Sequence, residues 1–157
     1  MTRVMFVCHG NICRSPMAEF IFKFLAKERG LEDEFEVRSS ATSTEEIWNG
    51  VGNPIYPPAQ AELKRRGIPF EQRRAVQLTP EDIDRYDIFV GMDSANIRNI
   101  HRILGNDAEG KVFKLLDFTA RGGDVADPWY SDRFDIAYRD ICDGCVALLD
   151  KMTAQKA

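Results

Sequence analysis

Long apolar runs are missing from this chain: no stretch approaches the ~20 residues needed to span a bilayer. Histidine is scarce, with only His9 and His101, and neither stands at a spacing from carboxylates or cysteines typical of metal ligands. No metal is therefore expected. A basic excess is also lacking, because 25 acidic residues face 21 basic ones for a net charge of −4. That balance disfavours nucleic acid as a partner. Met1-Thr2-Arg3 leads straight into an apolar segment and leaves no room for a signal peptide, so a cytoplasmic protein without membrane attachment is expected. There the four cysteines (Cys8, Cys13, Cys142, Cys145) are by default free thiols, and their reactivity matters more than any pairing. Repeats and low-complexity segments are absent.

The 157 residues suit one domain, 1–157, with a sizeable core. Apolar strand candidates alternate with helix candidates. Arg3–Val7 precedes a helix over roughly 16–29, with Pro16 at its first position, Met17, Ile21 and Leu25 spaced four apart, and Gly30 closing it. Phe35–Ser39 alternates like a strand, and a long irregular stretch follows to about Pro57. Loops of that length inside compact domains are usually functional. A helix near 58–66 ends at Gly67, and Thr79-Pro80-Glu81-Asp82 is a helix-start signature. Tyr86–Met92 reads as a buried strand, Ser94–Leu104 as a helix, Lys111–Leu116 as a strand and Ser131–Met152 as a long final helix. The order predicts an α/β fold, a four-stranded doubly wound parallel sheet with helices on both faces. In such sheets the ligand site lies beyond the carboxyl ends of the strands. Those ends here are the segment after Val7, Ser39 onward, Met92-Asp93, and Asp117 onward.

The segment after the first strand is Cys8-His9-Gly10-Asn11-Ile12-Cys13-Arg14-Ser15-Pro16. A loop between a strand and a helix N-terminus presents backbone N–H groups to an anion. Arg14 adds a permanently charged planar fork suited to phosphate oxygens. Cys8 would point its sulfur into that positive bowl, where a thiolate is stabilised. One loop thus supplies a nucleophile and a phosphate cradle, which predicts phosphoryl transfer to sulfur, with a phosphate or other oxyanion seated in the loop.

The form Cys-x-Gly-Asn-x-Cys-Arg-Ser-Pro, filled at every fixed position, resembles the signature of the low-molecular-weight protein tyrosine phosphatases. Asp127-Pro128-Trp129-Tyr130 resembles that family's second hallmark, and Ser39, Trp48-Asn49 and Met92-Asp93 look like further landmarks, so the resemblance covers essentially the whole chain. It implies a phosphatase for phosphotyrosine in proteins or peptides, working through a phosphocysteine intermediate, without cofactor and as a monomer. Residue by residue it implies Cys8 as nucleophile, Arg14 on the equatorial phosphate oxygens, and Asp127 as general acid and then base. Ser15 would stabilise the Cys8 thiolate, Asn11 and Ser39 would hold the loop, and Trp48, Trp129 and Tyr130 would wall the pocket. His9, Gly10, Ile12 and Cys13 complete the phosphate-binding segment. The chemistry is consistent on its own terms: a phenol leaving group with a pKa near ~10 benefits from an acid at pH 7, and an aromatic-sided slot suits a phenyl ring.

The chain departs from the pattern at three positions. Arg73 stands where many members carry a histidine that supports the loop asparagine. His9 replaces Leu or Thr and makes the rim more polar. Ile12 stands where relatives acting on phosphoarginine carry Thr, and an apolar side chain favours an aryl substrate. Phosphoarginine hydrolysis remains the main alternative substrate reading. Arsenate reduction would need a mid-chain cysteine relay, and no cysteine lies between 13 and 142. A non-catalytic phosphopeptide-binding module would need neither nucleophile nor acid.

Other residues invite plainer readings. Asp127 before Pro128 alone would suggest a turn, and only the loop makes an acid the better reading. Cys142-Asp143-Gly144-Cys145 lies inside a helix whose Tyr138, Ile141, Cys145, Leu148 and Met152 form an apolar stripe, so packing outweighs redox or zinc chemistry. His101 reads as a surface residue. Cys13, five residues from Cys8, suits reversible oxidation, with a Cys8–Cys13 disulfide shielding the nucleophile.

Overall fold

The computed structural model describes residues 1–154. Its centre is a four-stranded parallel sheet of β1 (Thr2–Cys8), β2 (Phe35–Ala41), β5 (Ile88–Gly91) and β6 (Val112–Lys114), in the spatial order β2-β1-β5-β6. Between β2 and β5 lie a small antiparallel hairpin, β3 (Ile47–Trp48) and β4 (Val51–Gly52), and helix α2 (Pro57–Arg65). Helix α1 (Arg14–Glu28) follows β1, α3 (Ser94–Leu104) follows β5, and α4 (Pro128–Ser131) and α5 (Phe134–Ala154) end the described chain. Among the described residues no helix is long and apolar enough to cross a membrane.

β1 shows why the sheet is covered on both sides. Side chains alternate across a strand, so Val4, Phe6 and Cys8 face one apolar cluster while Met5 and Val7 face another. The first cluster is closed by α1 and α5, through Met17, Ile21, Ile141 and Leu148. The second is closed by α3, through Ile100 and Leu104. Phe6, Phe22 and Phe89 are fully buried, each contributing about 1.5–3 kcal/mol of transfer free energy. The expected doubly wound architecture is the one observed.

Boundaries differ where local chemistry overrides the apolar pattern. Helix α1 begins at Arg14, which puts Pro16 at its third position rather than its first; the missing N–H costs nothing there, since first-turn donors have no intrahelical partner. Thr79-Pro80-Glu81-Asp82 does form a reciprocal capping box, but over a five-residue 3-10 helix only. The strand expected over Lys111–Leu116 stops at Lys114. Leu115 and Leu116 turn into a 3-10 segment and are buried in the first cluster against α5. Gly144 makes that approach possible, because a Cβ there would overlap the Leu115 side chain. The final helix starts at Phe134, because Asp132 adopts a left-handed conformation (φ 59°) that separates it from α4. Cys145 is buried in the stripe, Cys142 is half-buried, and His101 is exposed. Burial pushes both cysteine thiols up, weakening any nucleophilic role.

Candidate active site

Cys8 ends β1, and the chain then curls through residues 9–13 before α1 begins. The curl depends on Asn11, which holds a left-handed backbone conformation (φ 59°). Asparagine tolerates that region better than most residues. The Asn11 N–H donates to Cys8 Sγ at 3.3 Å, and Ser15 Oγ lies 3.0 Å from the same sulfur. The α1 N-terminus lacks a side-chain cap, as Cys13 at the capping position makes no such bond.

Arg14 is buried at 2 % exposure and is aimed by acceptors from two directions. Its Nη1 donates to Asp93 Oδ2 at 2.7 Å and to the Val125 carbonyl at 2.9 Å, and Nη2 reaches Asp127 Oδ2 at 3.5 Å. Burial alone would make the Arg14 cation easier to neutralise; the neighbouring Cys8, Asp93 and Asp127 outweigh it and raise its pKa. Both aspartates also cap helices. Asp93 Oδ1 accepts from Asn96 N at 2.8 Å at the start of α3, and Asp127 Oδ1 accepts from Trp129 N at 3.0 Å at the start of α4. The turn reading and the acid reading of Asp127 are therefore compatible: one oxygen holds the turn, the other faces Arg14.

Behind the loop runs a buried polar network. Asn11 Nδ2 donates to Ser15 Oγ at 2.8 Å and to Ser39 Oγ at 3.0 Å. Its Oδ1 accepts from Arg73 Nη2 at 2.6 Å and from Val76 N at 3.0 Å. All the capacity of this amide is engaged. Arg73 Nη1 also bonds Ser39 Oγ and lies 2.6 Å from Glu19 Oε1, which accepts from Ser39 Oγ at 2.6 Å. Lys23 closes the other side of Glu19 at 2.9 Å. Arg73 thus does occupy the support position, and its flat fork serves Asn11, Ser39 and Glu19 together.

These groups surround one cavity lined by residues 8–14, Asp127, Trp129 and Tyr130, together with Glu45 and Glu46. It brings together Cys8, His9, Gly10, Asn11, Ile12, Cys13, Arg14, Asp127, Trp129 and Tyr130 of the expected set. Ser15 and Ser39 lie behind the loop, fully or almost fully buried. Trp48 is outside the lining, 79 % exposed on the small hairpin. Trp129 is braced by Tyr56, ring centroids 4.8 Å apart, and the Tyr56 N–H donates to the Ile12 carbonyl at 2.9 Å. His9 sits at the mouth with Nε2 3.0 Å from Glu45 Oε2. Cys13 is buried, and burial first, then the neighbouring Cys8, pushes its thiol well up, keeping it protonated. Glu19, Glu45, Glu46 and Tyr56 were not singled out by sequence reasoning. A glutamate in the buried stripe of α1, four residues before Lys23, was the one available signal for Glu19.

Comparison with known proteins converges on one family. The sequence profile described as "Low molecular weight phosphotyrosine protein phosphatase" matches residues 3–157. The chain is 37 % identical over 158 residues to the low molecular weight protein-tyrosine-phosphatase YfkJ of Bacillus subtilis, covering 99 % of each chain. The crystal structure of YfkJ superposes with a TM-score of 0.93, covering 100 % of this chain and 98 % of that one. PtpA of Staphylococcus aureus is 38 % identical over 151 residues, covering 96 % of this chain and 93 % of PtpA. A protein tyrosine phosphatase from Entamoeba histolytica, solved with Hepes in its active site, is 25 % identical with a TM-score of 0.90 over the full length of both chains. With this sequence identity, this coverage and this fold, the chain belongs to the low-molecular-weight phosphotyrosine protein phosphatases, the cysteine-dependent enzymes that hydrolyse phosphotyrosine.

Proposed function

We propose that Cys8, Arg14 and Asp127 carry out this hydrolysis, that the other loop residues, Trp129 and Tyr130 bind the substrate, and that residues 1–157 act as one catalytic domain. Cys8 Sγ attacks phosphorus in line with the phenolic oxygen. The P–O bond breaks as the S–P bond forms, and Asp127 gives its proton to the departing oxygen. Arg14 and the loop N–H groups hold the three equatorial oxygens, where charge is spread in a loose transition state. Water then attacks the phosphocysteine, Asp127 takes its proton, the S–P bond breaks and the Cys8 thiolate returns. The observation that carries this reading is the approach of Asp127 Oδ2 to Arg14 Nη2 at 3.5 Å over a loop whose sulfur is bonded by Asn11 N and Ser15 Oγ. A relative holding Hepes, a sulfonic acid, in its active site supports oxyanion binding by such a loop.

Aryl phosphate is favoured over phosphoarginine by Ile12, an apolar side chain in the lining, and by the Trp129 ring braced on Tyr56. Cys8→Ser should abolish turnover of p-nitrophenyl phosphate while still binding inorganic phosphate. Wild type should hydrolyse phosphotyrosine peptides in preference to phosphoarginine peptides. Turnover by Cys8→Ser would contradict the assignment of the nucleophile, and a preference for phosphoarginine would contradict the substrate.

Cys13 fits a protective role in the same site. Peroxide oxidises the Cys8 thiolate to a sulfenic acid; Cys13 gives up its proton and its sulfur attacks that of Cys8, water leaving as the disulfide forms, a step slowed by the burial that pushes the Cys13 thiol up. Peptide mapping after mild peroxide should recover a Cys8–Cys13 disulfide. Recovery of Cys8 as sulfonic acid alone would refute that role.

A further inference from the structure

Two unlike kinds of side chain line the cavity: the aromatic Trp129 and Tyr130, and the acidic Glu45 and Glu46. Arg14 is the sole arginine or lysine in the lining among the described residues, and it is already paired with Asp93 and Asp127. The two glutamates are placed by the backbone. The segment carrying them is tied to the phosphate loop by Thr42 N to the Cys8 carbonyl and Ser43 N to the His9 carbonyl, both 3.0 Å. Glu45 N donates to Ser43 Oγ at 3.0 Å. Asn53 grips Glu46 twice, through Nδ2 to Oε2 at 2.7 Å and through its N–H to the Glu46 carbonyl at 2.7 Å. The Glu46 stem lies so close to the loop that a Cβ at Gly10 would sit 3.1 Å from Glu46 Cγ. A carboxylate fixed beside the phosphate cradle repels a dianion seated there and attracts a cation.

Resting on the assignment of this cavity as the phosphotyrosine site, we propose that Glu45 and Glu46 select substrates by charge. Phosphotyrosine segments with lysine or arginine one or two residues from the phosphotyrosine are preferred, and segments with acidic residues there are rejected. Extended peptide advances about 3.3 Å per residue, so those neighbours fall at the rim once the ring is seated. Opposite charges at such range in partly exposed surroundings are weak singly and additive in a pair. His9 faces Glu45 from the loop, offering it a partner when no substrate is present. Glu46, by contrast, is held by a neutral amide, Asn53.

The test uses the full chain, p-nitrophenyl phosphate as a substrate without flanking residues, and phosphotyrosine peptides identical except for Lys, Gln or Glu at the two positions on either side. Wild type should show kcat/KM in the order Lys, Gln, Glu, with about a 3- to 10-fold span at low salt that contracts near 0.5 M salt. In a Glu45→Gln/Glu46→Gln variant the span should collapse to within about twofold; the wild-type span and its salt dependence test the proposal even where that variant folds poorly. Turnover of p-nitrophenyl phosphate with no discrimination among peptides, or a span that persists in the variant, overturns the proposal alone. Failure on both substrate types overturns it together with the catalytic assignment beneath it.

Discussion

Single side chains in this protein hold several partners at once, and substitutions should separate the tasks. Arg73 is the clearest case. Its guanidinium meets Asn11, Ser39 and Glu19, and Asn11 in turn shapes the loop that aims its N–H at Cys8. Arg73→Ala would leave Glu19 with Lys23 and Ser39, and Asn11 Oδ1 with one donor. A loosened loop should lower kcat by about 10- to 100-fold, the scale of a small misplacement of reacting groups. Arg73→Lys should recover only part of this, since a point charge cannot serve three acceptors in one plane. Steady-state kinetics on p-nitrophenyl phosphate, with phosphate binding measured in parallel, checks both. Much of the candidate site is legible in the sequence: Cys8, Arg14 and Ser15 can be read because their spacing is local, whereas Asp127, alone a turn residue before Pro128, is read as an acid only in the light of that loop. Glu19, Glu45 and Glu46 escape because nothing in a string of charged residues tells which one tertiary structure will bury or lean against a loop. Trp48 is expected at the wall and lies outside the lining, since an exposed hairpin can carry an aromatic residue without directing it inward.

At the level of elements, helix starts and the candidate site share the same residues. Asp93 begins α3 with one oxygen and holds Arg14 with the other. Asparagine is an equally good cap but a neutral partner for arginine. Asp93→Asn should therefore keep the helix start and lower phosphate affinity. Asp93→Ala should lose both, with about 0.5–2 kcal/mol of stability attributable to the cap. Thermal melts and phosphate titration of the two variants distinguish the roles. The element boundaries are readable where capping signals are strong, as at Ser94–Leu104, which the pattern delimits correctly. They are not readable at Lys111–Leu116, where an apolar run fits either a strand or a turn packed under a helix. The decision there comes from the contact of Leu115 with Gly144, a distant residue.

For the whole molecule, parallel strands bring together groups far apart in sequence. Cys8 and Ser39 come from β1 and β2, Asp93 follows the end of β5, and the long loop after β6 returns Val125 and Asp127 to Arg14. This convergence follows from the alternation of strands and helices, so the fold is the most legible feature of all. Stability of the whole should depend on pH through buried carboxylates. Burial alone would raise the Glu62 carboxyl, but hydrogen bonds from Arg65 and Arg66 outweigh it and hold it below its ordinary value. A depressed folded pKa stabilises the native state above the unfolded value near ~4.3 and loses that contribution as pH falls through the folded pKa. Glu62→Gln should lower Tm at pH 7, and the gap from wild type should shrink on acidification below about pH 4; melts across that range measure it.

The proposed mechanism sets a thiol at Cys8 and an acid at Asp127 on opposite ends of one breaking bond. It is tested most directly by kcat for a series of aryl phosphates whose leaving phenols span pKa values of about 7 to 10, in wild type and in Asp127→Asn. Wild type should be nearly insensitive to the leaving group, because protonation removes the penalty of a poor one. Asp127→Asn should fall steeply as the phenol becomes more basic, losing about 10²- to 10⁴-fold on the worst. Parallel dependences in the two enzymes would contradict the account.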